Sequence, residues 1–210
     1  MFTKEEVKIY KKLNTPKKIQ DFLNSLKVNF EGAGDTCFSP RTVLREKKAH
    51  CVEGAVFAAA ALRFHGHEPF ILDMESTKKD FDHVVAMFKI NGCWGCLSKT
   101  NHAVLRYREP VYRTVRELVM SHFHEYFMDN GKKTLRRFSM PVNLKRFDKF
   151  NWMTSDEEVW YIPEYLVEVK HFDILTGVQV RRLRKADEIE IKAGKLVEEK
   201  DPLKRRRFWG

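Results

Sequence analysis

Cys51 opens a stretch that is apolar almost all the way round a helix: Val52, Ala55, Val56, Phe57, Ala58, Ala59, Ala60, Ala61 and Leu62. A thiol in the first turn of a helix sees the positive end of the helix dipole and unsatisfied backbone N–H groups, which together favour the nucleophilic thiolate. The same position would also suit a cysteine packed as a small apolar residue. Its meaning depends on what else reaches it, and the first candidate is His83. This imidazole begins a β-type run to Ile90, followed by the hairpin signal Asn91-Gly92 and a return strand from Cys93 to Ser98. With a two-residue loop, Ile90 opposes Cys93, Val85 opposes Ser98 and His83 opposes Thr100. Alternation then places His83, Val85 and Met87 on one face with Trp94, Cys96, Ser98 and Thr100. His83 and Ser98 become diagonal neighbours, roughly 7–8 Å apart at Cα. A base oriented by a third group and aimed at a helix-terminal cysteine is the layout of thiol nucleophilic catalysis. Asn101 is the chemical substitute for Ser98 as orienting group, although strand parity turns it away from His83 unless a bulge intervenes. Asp80 and Asp82 are close in sequence, and Asp82 also belongs to the opposite face.

The elements that must position these residues are readable in outline. Thr3 with Glu6 has capping-box spacing, and Thr15-Pro16 starts a second short helix whose apolar face is Ile19, Phe22, Leu23 and Leu26. Residues 31–47 read as irregular. The helix from about Ala49 to Phe64 is apolar enough to be buried inside the domain, and Gly66 is placed to end it. Pro69 to Met74 reads as a strand, and Tyr112 to Phe127 as a helix closed by Asp129-Asn130-Gly131. Tyr165 to Leu175 and Val178 to Leu183 are strand candidates, whereas Glu188 to Leu196 suits either state.

The chain of 210 residues can bury a full core, and its 43% hydrophobic and 32% charged residues exclude disordered and collagen-like classes. No run approaches the roughly 18 apolar residues of a spanning helix, so no membrane partner is expected. The first residues, charged from Lys4, do not resemble a signal peptide, and Cys37, Cys51, Cys93 and Cys96 are too unevenly placed for a disulfide framework; a reducing, cytoplasmic compartment is expected. The net charge of +10 is carried by the ends: +4 in residues 1–30 and +5 in residues 180–210. The basic-aromatic run Lys204-Arg205-Arg206-Arg207-Phe208-Trp209 lacks a nucleic-acid fold signature, so a nucleic-acid partner is not expected. Cys93-Trp94-Gly95-Cys96 lies in a strand, where positions three apart face opposite ways, and neither His65-Gly66-His67 nor His122-Phe123-His124 has a third ligand. No metal and no cofactor are expected.

The segment Cys51-Val52-Glu53-Gly54-Ala55, continued by Ala59-Ala60-Ala61-Leu62-Arg63-Phe64-His65-Gly66, resembles the nucleophile helix of the transglutaminase-like superfamily, a branch of the papain-like cysteine fold. Asp82-His83-Val84-Val85 followed by Asn91-Gly92-Cys93-Trp94 resembles its histidine strand and return strand. The likeness covers roughly residues 30–105. It departs at Ser98, where the family usually has an aspartate; serine accepts a hydrogen bond from imidazole but brings no charge, although neutral orienting groups do serve in Cys-His-Asn enzymes. The resemblance implies an α+β fold with a buried nucleophile helix packed on an antiparallel sheet. One domain is expected over residues 1–210, with N-terminal helices in 1–30, a core holding the Cys-His site in 31–130 and a C-terminal elaboration in 131–210. It further implies a cysteine-peptidase-like enzyme that hydrolyses an amide or ester, or transfers its acyl group to an amine. A protein or peptide-like amide would be the substrate, with Cys51 as nucleophile, His83 as proton carrier, Ser98 as orienting group and the Cys51 backbone N–H as oxyanion donor. Two rival readings are a binding protein that kept the fold without the acidic member and a basic nucleic-acid-associated protein.

Overall fold

The computed structural model describes residues 1–32 and 34–202. At the N-terminus, Thr3 and Glu6 form a reciprocal capping box on α1 (Lys4–Lys12), and Thr15 caps α2 (Pro16–Ser25) with proline in its first turn. A short parallel pair, β1 (Lys27–Val28) and β2 (Lys48–Ala49), brackets the next segment. That segment, expected to be irregular, contains α3 (Pro40–Glu46), whose start is marked by Ser39 capping Thr42 N–H and by Pro40.

Helix α4 (Cys51–Phe64) follows, and every residue from Ala55 to Leu62 is 0% exposed. Its alanines let the helix axis lie close to the sheet, so burial rather than amphipathicity holds it in place. Gly66, with φ of 85°, follows its C-cap residue His65.

The sheet has seven strands: β3 (Phe70–Glu75), β4 (His83–Ile90), β5 (Cys93–Leu97), β6 (Arg108–Tyr112), β7 (Arg137–Ser139), β8 (Val142–Asn143) and β9 (His171–Asp173). Their order is β6-β5-β4-β3-β7-β9, with β8 also paired to β3, and all the pairings are antiparallel. Asn91 and Gly92 both have positive φ, 49° and 81°, as a two-residue primed turn requires. The register follows from that turn, with Ile90 opposite Cys93, Met87 opposite Cys96 and Ala86 opposite Leu97. One face of the sheet, including Ile71, Val84, Ala86, Phe88 and Leu97, packs into the core built around α4, α1 and α2. The other face, including Leu72, Met74, Val85, Met87 and Cys96, is covered by Leu118 and Val119 of α5 (Val115–Met120) and by Phe123 and Tyr126. This is an α+β architecture of helices on an antiparallel sheet. Among the described residues no helix is long and apolar enough to cross a membrane, and all four cysteines are free.

Several expectations for the second half are corrected. The stretch from Tyr112 to Phe127 is not one helix: Tyr112 ends β6, the Thr114–Glu117 capping box starts α5 only at Val115, and a 3-10 turn at Phe123–Glu125 follows. The strand expected from Tyr165 to Leu175 begins within the end of α6 (Tyr161–Glu168), where Ile162 and Leu166 bury one helical face, and only His171–Asp173 is a strand. The strand expected from Val178 to Leu183 is α7 (Gly177–Arg181), begun by a Thr176–Gln179 capping box, and the ambiguous segment after it holds α8 (Glu188–Gly194). The basic-aromatic run Lys204–Trp209 lies outside the described residues.

Gly54 couples α4 to the segment that follows β5. A Cβ at this position would stand 2.4 Å from the Cβ of Lys99, beside that residue's own backbone, so rotation of the lysine tail cannot relieve the contact. Gly54→Ala is therefore expected to destabilise by about 1–3 kcal/mol through overpacking. Helix propensity alone would give a gain of about 1 kcal/mol, so the sign of the change in a denaturant titration decides between the two effects.

Candidate active site

Cys51 is the first residue of α4, and the position of that helix end is fixed by Glu53. The Glu53 carboxylate is wholly buried and accepts from Asn29 Nδ2 at 3.0 Å, Thr36 Oγ1 at 2.8 Å, Phe38 N at 3.0 Å and His50 N at 2.9 Å. Residues 29–38 are thereby laced to the first turn. His50 is the N-cap of α4: its Nε2 lies 2.9 Å from the Thr36 carbonyl, and its Nδ1 lies 3.2 Å from Val52 N. The Cys51 thiol is half-buried beside it. Burial pushes the thiol up, but hydrogen bonds to His50 and His83 and the charges of both imidazoles outweigh burial and hold it well below the usual thiol range.

His83 opens β4 at the same end of the helix–sheet sandwich. Its Nε2 is 2.7 Å from Ser98 Oγ, which itself donates to the Leu105 carbonyl at 2.6 Å. A hydroxyl has one proton, and a carbonyl can only accept; Ser98 Oγ must therefore accept from His83 Nε2–H. The tautomer follows, and Nδ1 is the nitrogen left to meet Cys51. Ser98 is rigidly placed because Gln20 of α2 grips its backbone twice, Nε2 to Ser98 O at 2.8 Å and Ser98 N to Oε1 at 3.0 Å. The amide of Gln20 thus replaces a neighbouring strand just where β5 ends.

Both imidazoles and the thiol line a cleft of about 240 Å³. Its walls also include Asp80, Phe81 and Asp82 from the loop before β4 and Lys99 to His102 after β5. Tyr126 steadies the first loop by donating to the Phe81 carbonyl, and Asp82 Oδ1 accepts from Ser76 N at 2.7 Å. Lys99 is 2% exposed and donates to the Leu26 carbonyl at 2.6 Å; burial lowers its pKa. On β3, burial together with the charges of Asp82, Cys51 and Glu75 raises Asp73 to about 8.

Of the residues read from the sequence, Cys51 and His83 line this cleft, and Ser98, buried outside its lining, is bonded to the His83 ring. Asn101 does not replace Ser98: its amide accepts from Glu199 N and donates to Glu199 O, both at 2.9 Å, so it fastens a later segment of the chain. Asp82 lines the cleft but is spent on Ser76 and does not orient His83. Cys93 and Cys96 lie on opposite faces of β5; Cys96 is buried 3.5 Å from His122, and burial pushes its thiol up to about 12. The contribution of His50 is the one the sequence reading missed. Its signal was present as a histidine directly before Cys51 with glutamate three positions later, the spacing of a capping box.

A family model described as a transglutaminase-like domain matches residues 3–109, just over half of the chain. The chain belongs to this transglutaminase-like family. No match was found among curated proteins.

A thiol with a depressed pKa remains thiolate as the pH falls below its ordinary value and is protonated only at the lower, folded-state value. Iodoacetamide in limiting amount is therefore expected to label Cys51 ahead of Cys37, Cys93 and Cys96, at a rate that stays level from about pH 8 to about pH 6. A rate that falls tenfold per unit below about pH 8.5, read by peptide mass spectrometry, would contradict this.

Proposed function

We propose that the protein is a thiol enzyme that cleaves or exchanges an amide or ester of a protein or peptide-like substrate. The observation that carries this reading is the fixed tautomer of His83: Nε2–H held on Ser98 leaves Nδ1 for a helix-terminal thiol at an open cleft. In the first half-reaction the Cys51 thiolate attacks the carbonyl carbon, a C–S bond forms, and the carbonyl oxygen takes the negative charge beside the Cys51 backbone N–H at the helix start. Collapse breaks the bond to the amine or alcohol, which leaves with a proton from the His83 imidazolium. In the second, His83, now neutral, takes a proton from water or an incoming amine as that nucleophile attacks the thioester. Collapse then expels the Cys51 thiolate. Each cycle returns the proton to His83, and no redox step is needed.

Ser98 supplies orientation without charge. Its loss leaves His83 free to rotate or to adopt the other tautomer, a fault that in related triads costs several orders of magnitude. The test is incubation with a mixture of peptides, with and without a primary amine, followed by mass spectrometry for hydrolysed or amine-exchanged products. Cys51→Ala and His83→Ala are expected to abolish product, and Ser98→Ala to lower it by about 10²-fold or more. Native protein that gives no more product than Cys51→Ala would leave a non-catalytic binding role for the cleft.

A further inference from the structure

The nucleophile has an imidazole on each side, and the two are wired differently. His83 rests on the neutral hydroxyl of Ser98. His50 rests on the Thr36 carbonyl, with Glu53 Oε1 at 3.4 Å and Glu31 Oε1 at 3.6 Å from the same Nε2. A carbonyl only accepts, so Nε2 of His50 carries a proton in every state, and Nδ1 is the one nitrogen that can meet the Cys51 sulfur. The charge that Ser98 does not bring to His83 is thus supplied beside His50 by two carboxylates. One of them, Glu53, is 0% exposed and meets hydrogen-bond donors from four residues, so its charge has no water to screen it.

We propose that His50 is a second catalytic imidazole with a role distinct from that of His83: backed by Glu53 and Glu31, it stays protonated throughout the cycle and holds Cys51 as thiolate. His83, resting on a neutral hydroxyl, is the imidazole that gives up and regains its proton. The proton balance is complete on this scheme. Cys51 is thiolate and both imidazoles are protonated before attack; the departing amine takes the His83 proton, the incoming water returns it, and His50 exchanges none. His50 is a spectator in proton count and a fixed cation in electrostatics, the part a triad's acidic member ordinarily plays through the other histidine.

The direction of the His50 shift agrees. Burial opposes its charge, but the hydrogen bond to Cys51, the charges of Cys51 and Glu53 and the Thr36 carbonyl outweigh burial and lift it to about 9. In the structure Nδ1 accepts from Val52 N–H at 3.2 Å, the contact of a neutral ring, and protonation gives up this helix cap for an Nδ1–H that faces Cys51. The other titratable groups that bear on the pair come from every side of the cleft: Asp73 on β3, Asp82 before β4, His83 on β4, Lys99 after β5 and Tyr126. Glu31 and Glu53 both pair with His50.

This inference rests on the thiol-enzyme reading, and the test separates the two. The variant is His50→Asn, because asparagine is a good N-cap and keeps Val52 N–H satisfied. Iodoacetamide alkylation of Cys51 is followed from about pH 5 to about pH 9 in native protein, His50→Asn and His83→Ala. His50→Asn is expected to raise the midpoint and to lower the rate near pH 6 by about tenfold or more, since each unit of thiol pKa is tenfold in thiolate below it. His83→Ala is expected to keep a thiolate that is reactive below the ordinary thiol range. A native profile in His50→Asn, with the whole shift lost in His83→Ala, overturns the role of His50 and leaves the enzyme reading standing. An ordinary thiol profile already in the native protein overturns both. Should His50→Asn fail to fold, the ring-nitrogen NMR shifts of His50 in the native protein decide: both nitrogens protonated at neutral pH is the expected result, and a neutral ring overturns the inference.

Discussion

One buried carboxylate sets the geometry on which the site depends. Glu53 lies in the first turn of a helix that is otherwise sealed in the core, and it cannot stay there without partners. Asn29, Thr36, the Phe38 amide and the His50 amide supply them. Through these bonds the loop that precedes α3 is tied to the start of α4, and the two residues at that start, His50 and Cys51, are held at the cleft instead of fraying. The apolar residues from Ala55 onward then anchor the helix against β4 and the helices around it. Helix placement is thus a matter of hydrophobic burial, while the placement of its reactive end is a matter of hydrogen bonds to one charge.

The opposite side of the cleft is built with neutral groups. Gln20 closes the end of β5, Ser98 accepts from His83 and donates to the Leu105 carbonyl, and Tyr126 steadies the loop from which β4 emerges. This chain orients His83 without adding charge. On the proposed reading, orientation of His83 and electrostatic support of the Cys51 thiolate come from different residues, which is how serine can serve at position 98.

What was legible in the sequence were features set by local rules. Asn91-Gly92 demands positive φ at two successive positions, so the turn fixed the hairpin register from Ile90–Cys93 to Ala86–Leu97; His83 and Ser98 lie just beyond that ladder and meet through their side chains. The nearly uniform apolar run after Cys51 has no polar face to present to water, so its burial followed. The second half was read less well because its residues send conflicting local signals. Tyr161, Tyr165, Val167 and Val169 favour strand by type, yet Ile162 and Leu166 bury one helical face, and tertiary packing decided. The short helix α3 was hidden in a polar stretch whose only clear mark was Ser39-Pro40. Asn101 matched the required chemistry, but Glu199, remote in sequence, claims its amide. His50 and Glu53 were overlooked for a related reason: a capping box reads as a structural feature until the residue between its partners is seen to line a cleft.

The central claim is that Cys51 is a thiolate at rest. The ultraviolet absorbance of the thiolate, taken as the difference between native protein and Cys51→Ser across a pH titration, reads this without substrate or alkylating reagent. The account predicts a Cys51 contribution that is already complete at neutral pH and disappears only in acid. A contribution that appears with a midpoint near the ordinary thiol value of about 8.5 would contradict it.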